Sequence, residues 1–415
     1  GTWPEDPDGS RVSEPLLLTD IGQLVTCTGT PGAGEASLGI SVATSVLIQE
    51  GLIAGIGHDD SAVKAALAAG VDTLSMDDQV LMPGFVDSHS HIVFGGDRVA
   101  EFKARMSGAP YLAGGIGNTV SATREATTQA LATSAGALRE EMLASGSTTV
   151  EIKSGYGLTV EHEKRILEVA QGITDQTTFL GAHLVPGEHA NDPERDVEEV
   201  CGPMLEACAP YARFIDVFLE AGAFDARQAR RVLTAGLAHG LIPTLHASQL
   251  GPGEGAKIAL EVGAASLSHG NHLTTSDIQL LRGSAVVVTA LPGTDFSTAG
   301  AYLDVRPLHD AGITVSLASN CNPGSSFSSS LSFMIALAVR EMKMSPADAV
   351  WSATAGGAAA LRLMDRGQIR VGARADLIQL QAPDYAYVAY RPGVDLVRRV
   401  FLNGDMVVEK ARDVR

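Results

Sequence analysis

The sequence predicts an α/β protein: a (β/α)8 barrel of the TIM type, with a small β-sandwich domain built from both chain ends. Three observations carry this. From Leu81 onward, short β-branched apolar runs alternate with helical runs for about eight repeats, the pattern of βαβ units in a parallel sheet. The two flanks, 16–80 and 367–415, are strand-like without that alternation. Polar residues able to do chemistry recur where the apolar runs end, which is where such a barrel gathers its site.

The elements follow in order. Residues 1–15 are polar and turn-rich and read as a disordered leader or cloning remnant. In 16–80, Leu16–Leu18 and Gln23–Thr26 form one strand interrupted by Gly22. Ser45–Ala54 and Gly55–Gly57 form a hairpin turning at Glu50-Gly51, and Ser61–Ala69 is a short alanine-rich helix. The barrel, 81–366, has strands starting at Leu81, Thr148, Thr178, Arg213, Ile242, Ala264, Ala285 and Ile313. Helical runs between them include Thr119–Leu143, Val160–Ala170, Ala226–His239 and Glu254–Val262. In 367–415, strands are expected at Gly367–Arg370, Ala375–Leu380 and Leu396–Leu402, with a hairpin turn at Asn403-Gly404.

Composition narrows the function. The 415 residues are 45% hydrophobic, enough for a large core. A formal charge of −18 argues against nucleic acid and anionic membrane surfaces as partners. An anionic small-molecule substrate therefore needs a local cation. Cys27, Cys201, Cys208 and Cys321 show no C-x-x-C spacing and read as reduced thiols of a cytoplasmic protein. No stretch reads as a membrane span. A homodimer is compatible with this composition.

The stretch VLMPGFVDSHSHIVFGG, 80–96, starts apolar and delivers His89 and His91. Residues two apart on a strand point to one side, as two ligands of one metal must. Later strand ends add His183, Glu220, His246, His269 and Asn320, so five of the 11 histidines fall at strand ends. Neutral imidazoles suit zinc or iron(II), and a bound divalent ion lowers the pKa of water toward ~7. The residues thus point to metal-assisted hydrolysis with one divalent metal, zinc or iron. Lys153, as a modified lysine bridging a second metal, is discounted because it follows strand two, far from the strand-five histidine.

With these positions in hand, the chain resembles the amidohydrolase superfamily and, within it, the imidazolonepropionase family, nearest its actinobacterial forms. The likeness covers nearly the whole chain; its specific stretches are PGFVDSHSHIVFGGDRVAEFKARMSG, TTVEIKSGYGLT, FLGAHLVP, CGPMLEACAP, IDVF-x-E-x-GAFD, CNPGSS and AYRPGV. It implies hydrolysis of a cyclic amide, 4-imidazolone-5-propanoate, to N-formimino-L-glutamate in histidine degradation. It implies metal ligands His89, His91 and His246, with the strand-eight position as the fourth, and a catalytic His269. Substrate would be held by Arg98, Tyr111, Tyr156, His183 and Asn322, Arg98 supplying the carboxylate-binding fork. Three departures stand out. Asn320 replaces the usual strand-eight Asp, which impairs both a metal ligand and a catalytic proton acceptor. Ser266-Leu267-Ser268-His269 replaces Ser-Ala-Asp-His, and Ser248 replaces an Asn or acid. They keep two alternatives open: a relative acting on a cyclic amidine or amide in bottromycin-type modified-peptide biosynthesis, and a non-catalytic binding relic.

Overall fold

The computed structural model describes residues 14–108 and 115–411. The predicted leader, 1–15, and Tyr111 lie wholly or largely outside the described residues. The first part of the chain forms β1 (Leu16–Leu24), β2 (Ser41–Gln49), β3 (Leu52–Ile56) and the long β4 (Asp72–Pro83). β1 is a single strand as expected, with Asp20 at φ +50° where its register against β2 shifts. The alanine-rich helix spans Ser61–Ala69; Asp60 caps its start and Gly70, at φ +74°, ends it.

β4 was not anticipated, and it changes where the barrel begins. It pairs with β1 in the chain-end sheet, and Gly84 then separates it from the first barrel strand, β5 (Phe85–Asp87). A Cβ at Gly84 would lie 2.3 Å from the Thr148 side chain, so only glycine passes there. The barrel continues through β6 (Ser147–Val150) and β7 (Ile152–Lys153), one strand broken at Glu151, to β8 (Thr177–Ala182) and β9 (Phe214–Leu219). β10 (Ile242–Ala247), β11 (Ser266–His269), β12 (Val287–Ala290) and β13 (Val315–Leu317) complete it. Neighbouring pairs from β7 to β13 are parallel. Closure comes from backbone bonds beside β5: Asn320 N to His89 O and His91 N to Cys321 O on one side, Glu151 N to Asp87 O and Lys153 N to Ser90 O on the other.

β8 and β9 are buried at every position, as expected of strands covered on both faces. The helix Ala226–Ala238 begins at an Asp225–Gln228 capping box, and its Gly236 lies so close to Ile215 that a Cβ would come within 2.4 Å. The single predicted helix Thr119–Leu143 is two, Ile116–Glu125 and Thr128–Ala144, because Thr127 adopts extended backbone and caps the second.

The chain returns through β14 (Leu377–Leu380), β15 (Val397–Leu402) and β16 (Asp405–Glu409). These join the first four strands in one seven-stranded sheet, ordered β16-β15-β14-β4-β1-β2-β3. Gly367–Arg370, expected as a strand, is not one: Gly367 sits at φ +79°, and Ile369 N bonds Thr26 O without extending into a ladder.

Candidate functional site

His89 and His91 follow β5 on either side of a one-residue bridge between Ser90 and Cys321. His246 comes from β10 and His269 from the end of β11. All four are buried. One nitrogen from each of His89, His91 and His246 lies within 4.8 Å of the others, a group that could hold a metal ion.

The outer nitrogens decide which inner ones are free. His89 Nδ1 meets Ser268 Oγ at 2.8 Å, and His246 Nδ1 meets Asp216 Oδ1 at 3.0 Å. With the outer nitrogens donating, the lone pairs at both Nε2 atoms are left for the interior. His89 Nε2 and His91 Nε2 stand 3.2 Å apart. Burial, then the Lys153 charge, holds His89 well below the usual histidine range; burial, then His246, does so for His91. Neutral imidazoles with converging lone pairs suit a divalent cation. A further donor is near: Asn320 Nδ2 bonds Thr294 Oγ1 at 2.7 Å, while its buried Oδ1 has no partner among the described residues. The residues present fit a metal.

Beneath His246 lies a buried charge cluster absent from the sequence reading. Asp216 accepts from the backbone and side chain of His246, from Thr244 Oγ1 at 2.9 Å and from Lys153 Nζ at 2.9 Å. Lys153 Nζ also meets Glu151 Oε1 at 2.9 Å. Burial alone would raise the Asp216 carboxyl, but Lys153 and then His246 outweigh it and hold it well below the usual range. Burial pushes Glu151 up to about 7 despite Lys153. Lys153 therefore stands closer to the strand-five histidine than its place after strand two suggests. It is not remote from His246, only one carboxylate away, and its ammonium is already taken by two acids.

One cavity is lined by His91, His246, His269, Asn320, Arg98, Tyr156, His183 and Asn322, together with Phe218 and Gln249. The structure thus brings together every described residue of the implied ligand and substrate-binding set except His89, whose Nε2 lies 3.2 Å from that of His91; Glu220, named at a strand end, lines a neighbouring pocket instead. His183 stacks on His91 with centroids 5.5 Å apart, and its Nδ1 meets Gly155 O at 2.9 Å. Burial, then His246, lowers His183 to about 4. The Asn322 side chain is spent on its own loop: Oδ1 accepts from Gly324 N and Ser325 N, both at 2.8 Å. Arg98 is not a free cation, because it pairs with Glu101.

Two of the sequence departures change meaning. Ser268 supports His89 from behind and does not line the cavity. Ser248, at φ +57°, turns away into a neighbouring pocket, and Gln249 is the loop residue lining the site. Left-handed backbone at Ser248 is not visible as a motif. Asp216 had a weak signal, a lone acid in the run FIDVFL.

The amidohydrolase family model matches residues 80–407. The chain is 55% identical over 397 residues to the imidazolonepropionase of Salinispora arenicola, covering 94% of this chain and 98% of the relative. It is 50% identical over 412 residues to that of Rhodococcus jostii, covering 98% and 100%. Among solved structures, atrazine chlorohydrolase from Arthrobacter aurescens TC1 complexed with zinc aligns with a TM-score of 0.66 at 17% identity over 96% of each chain. Guanine deaminase from C. acetobutylicum aligns with a TM-score of 0.68 at 15% identity over 94% and 99%.

Proposed function

The chain belongs to the amidohydrolase family, and from that premise we propose that it hydrolyses a C–N bond of a cyclic amide, 4-imidazolone-5-propanoate, giving N-formimino-L-glutamate. The observation that carries the substrate is the joint lining of one cavity by a guanidinium, Arg98, and by His91 and His246, two of the three histidines that could hold a metal. A ring carbonyl carrying a short acid needs both. The quoted relatives share one activity name, which favours this small acid over a peptide-derived amidine.

His89, His91 and His246 would hold one divalent ion, with the Asn320 oxygen beside them; zinc and iron both suit the donors. When bound, such an ion polarises a carbonyl and acidifies water. Arg98 receives the propanoate, and Tyr156, His183 and Asn322 shape the space around the ring. His269 is kept neutral by burial, then His246, and its Nδ1 has no partner among the described residues. It is therefore free to take the proton of the attacking water and return it to the departing ring nitrogen. Asn320 cannot share that duty, because a carboxamide has no basic site near neutral pH. A cytoplasmic setting belongs to the same reading.

The test is a steady-state assay of 4-imidazolone-5-propanoate, read as loss of its ultraviolet absorbance and gain of N-formimino-L-glutamate. Turnover is expected from the chain, slow as written and faster with a carboxylate at 320. Full metal occupancy with no turnover in either form would end the substrate assignment.

A further inference from the structure

The fork assigned to the substrate's carboxylate is already half used. Arg98 donates from Nε to Glu101 Oε2 and from Nη2 to Glu101 Oε1, each at 2.7 Å. Both lie on the first turn of the helix Val99–Met106 or its N-cap, three residues apart. Glu101 Oε1 is also 3.6 Å from Arg105 Nη1, so one acid stands between two guanidinium groups. The Arg98 side chain is 3% exposed and that of Glu101 25%.

Two glycines press the guanidinium flat. A Cβ at Gly115 would lie 2.0 Å from Arg98 Nη2, and one at Gly324 would lie 2.0 Å from Nη1. The Nε–Nη2 edge is filled by Glu101, Nη1 has no hydrogen-bond partner among the described residues, and the side chain lines the cavity. A long flexible side chain normally loses rotamer freedom when a ligand arrives; here that freedom is gone beforehand.

We infer that Glu101 is a positioning residue for anion binding: it occupies one edge of the Arg98 fork and leaves the Nη1 edge as a preset seat for a single carboxylate. The inference rests on Arg98 being the anion clamp. It has a sharp alternative, because Glu101 is itself an anion. As a mere competitor it would weaken carboxylate binding, and its removal would tighten it; as a positioner, its removal loosens binding.

The experiment is calorimetry on the metal-loaded full chain with imidazole-4-propanoate and with its neutral carboxamide. The unsubstituted chain is compared with Glu101→Gln, Arg98→Gln and Gly324→Ala, each with a melting curve. Glu101→Gln is expected to weaken the acid about 3- to 10-fold, the scale of one refrozen side chain, and to leave the amide nearly unchanged. Gly324→Ala should lower the same acid-to-amide ratio by displacing Nη1. Acid binding that is unchanged or tighter in Glu101→Gln overturns the positioning role, as does equal loss for both ligands alongside a lowered melting temperature. An acid-to-amide ratio that survives Arg98→Gln overturns the clamp itself. If Arg98→Gln abolishes that ratio while Glu101→Gln and Gly324→Ala leave it intact, the clamp stands and the inference alone fails.

Discussion

The two sides of the barrel floor hold the same kind of side chain by opposite means. On the β7–β10 side, His246 rests on Asp216, which rests on Lys153, which rests on Glu151. On the β11–β13 side, His89 rests on the hydroxyl of Ser268, and behind it lie Ser316 and Thr289, bonded at 2.8 Å. Asn320, on this side, is also neutral. Among the described residues, the buried acids there are Asp87 and Asp295, which burial pushes up to about 6 and about 7. Charge that could offset a cation is thus concentrated behind one histidine. The imidazoles are therefore not equivalent donors: a carboxylate behind a ligand makes it more basic than a hydroxyl does.

Four measurements test that contrast. The largest comes from putting charge on the neutral side. Asn320→Asp supplies a proton acceptor, so kcat/KM toward 4-imidazolone-5-propanoate should rise by about 10²- to 10⁴-fold, with metal content measured in both forms. An unchanged rate at equal occupancy would show that His269 needs no help. Next is the charged side's own stability. Lys153→Met strands Asp216 and Glu151 as buried acids and should cost about 3–5 kcal/mol in denaturant unfolding. The matching deletion opposite, Ser316→Ala, should cost only about 1 kcal/mol. Equal losses would erase the contrast. Third, Asp216→Asn should weaken metal binding by about 10- to 100-fold in competition with a chromophoric chelator. The smallest effect belongs to Ser268→Ala, about 2- to 10-fold in the same titration, the worth of one neutral hydrogen bond. Reversal of these last two would mean that the serine, not the acid, governs the donor set.

The barrel and the convergence of its histidines were legible because both depend on period and spacing. Alternating apolar and helical runs give βαβ units, and H-x-H needs only a strand's two-residue repeat. β4 was missed because its first two thirds, DTLSMDDQ, are largely polar and lie in the chain-end sheet, where tertiary pairing with β1 overrides composition. Asp216, Lys153 and Glu151 were illegible as a unit because they come from β9 and from the broken strand β6–β7, which flank β8 and are brought together only by folding. Glu101 was hidden differently: an acid three residues after an arginine on a helix usually reads as a surface pair. Only the 3% exposure of Arg98 shows otherwise.

The chain-end sheet has a consequence in time. β4 is made early in synthesis, yet one of its neighbours is β14, and Gln379 Nε2 bonds Met76 O across 303 residues of sequence. At about 5–20 residues per second, a ribosome needs roughly 15–60 s to bridge that interval. Through the whole of it, the strand that leads directly into His89 and His91 has β1 on one flank and nothing on the other. Nascent chains released before Leu377 should therefore carry an open sheet edge of the kind chaperones bind and aggregates template.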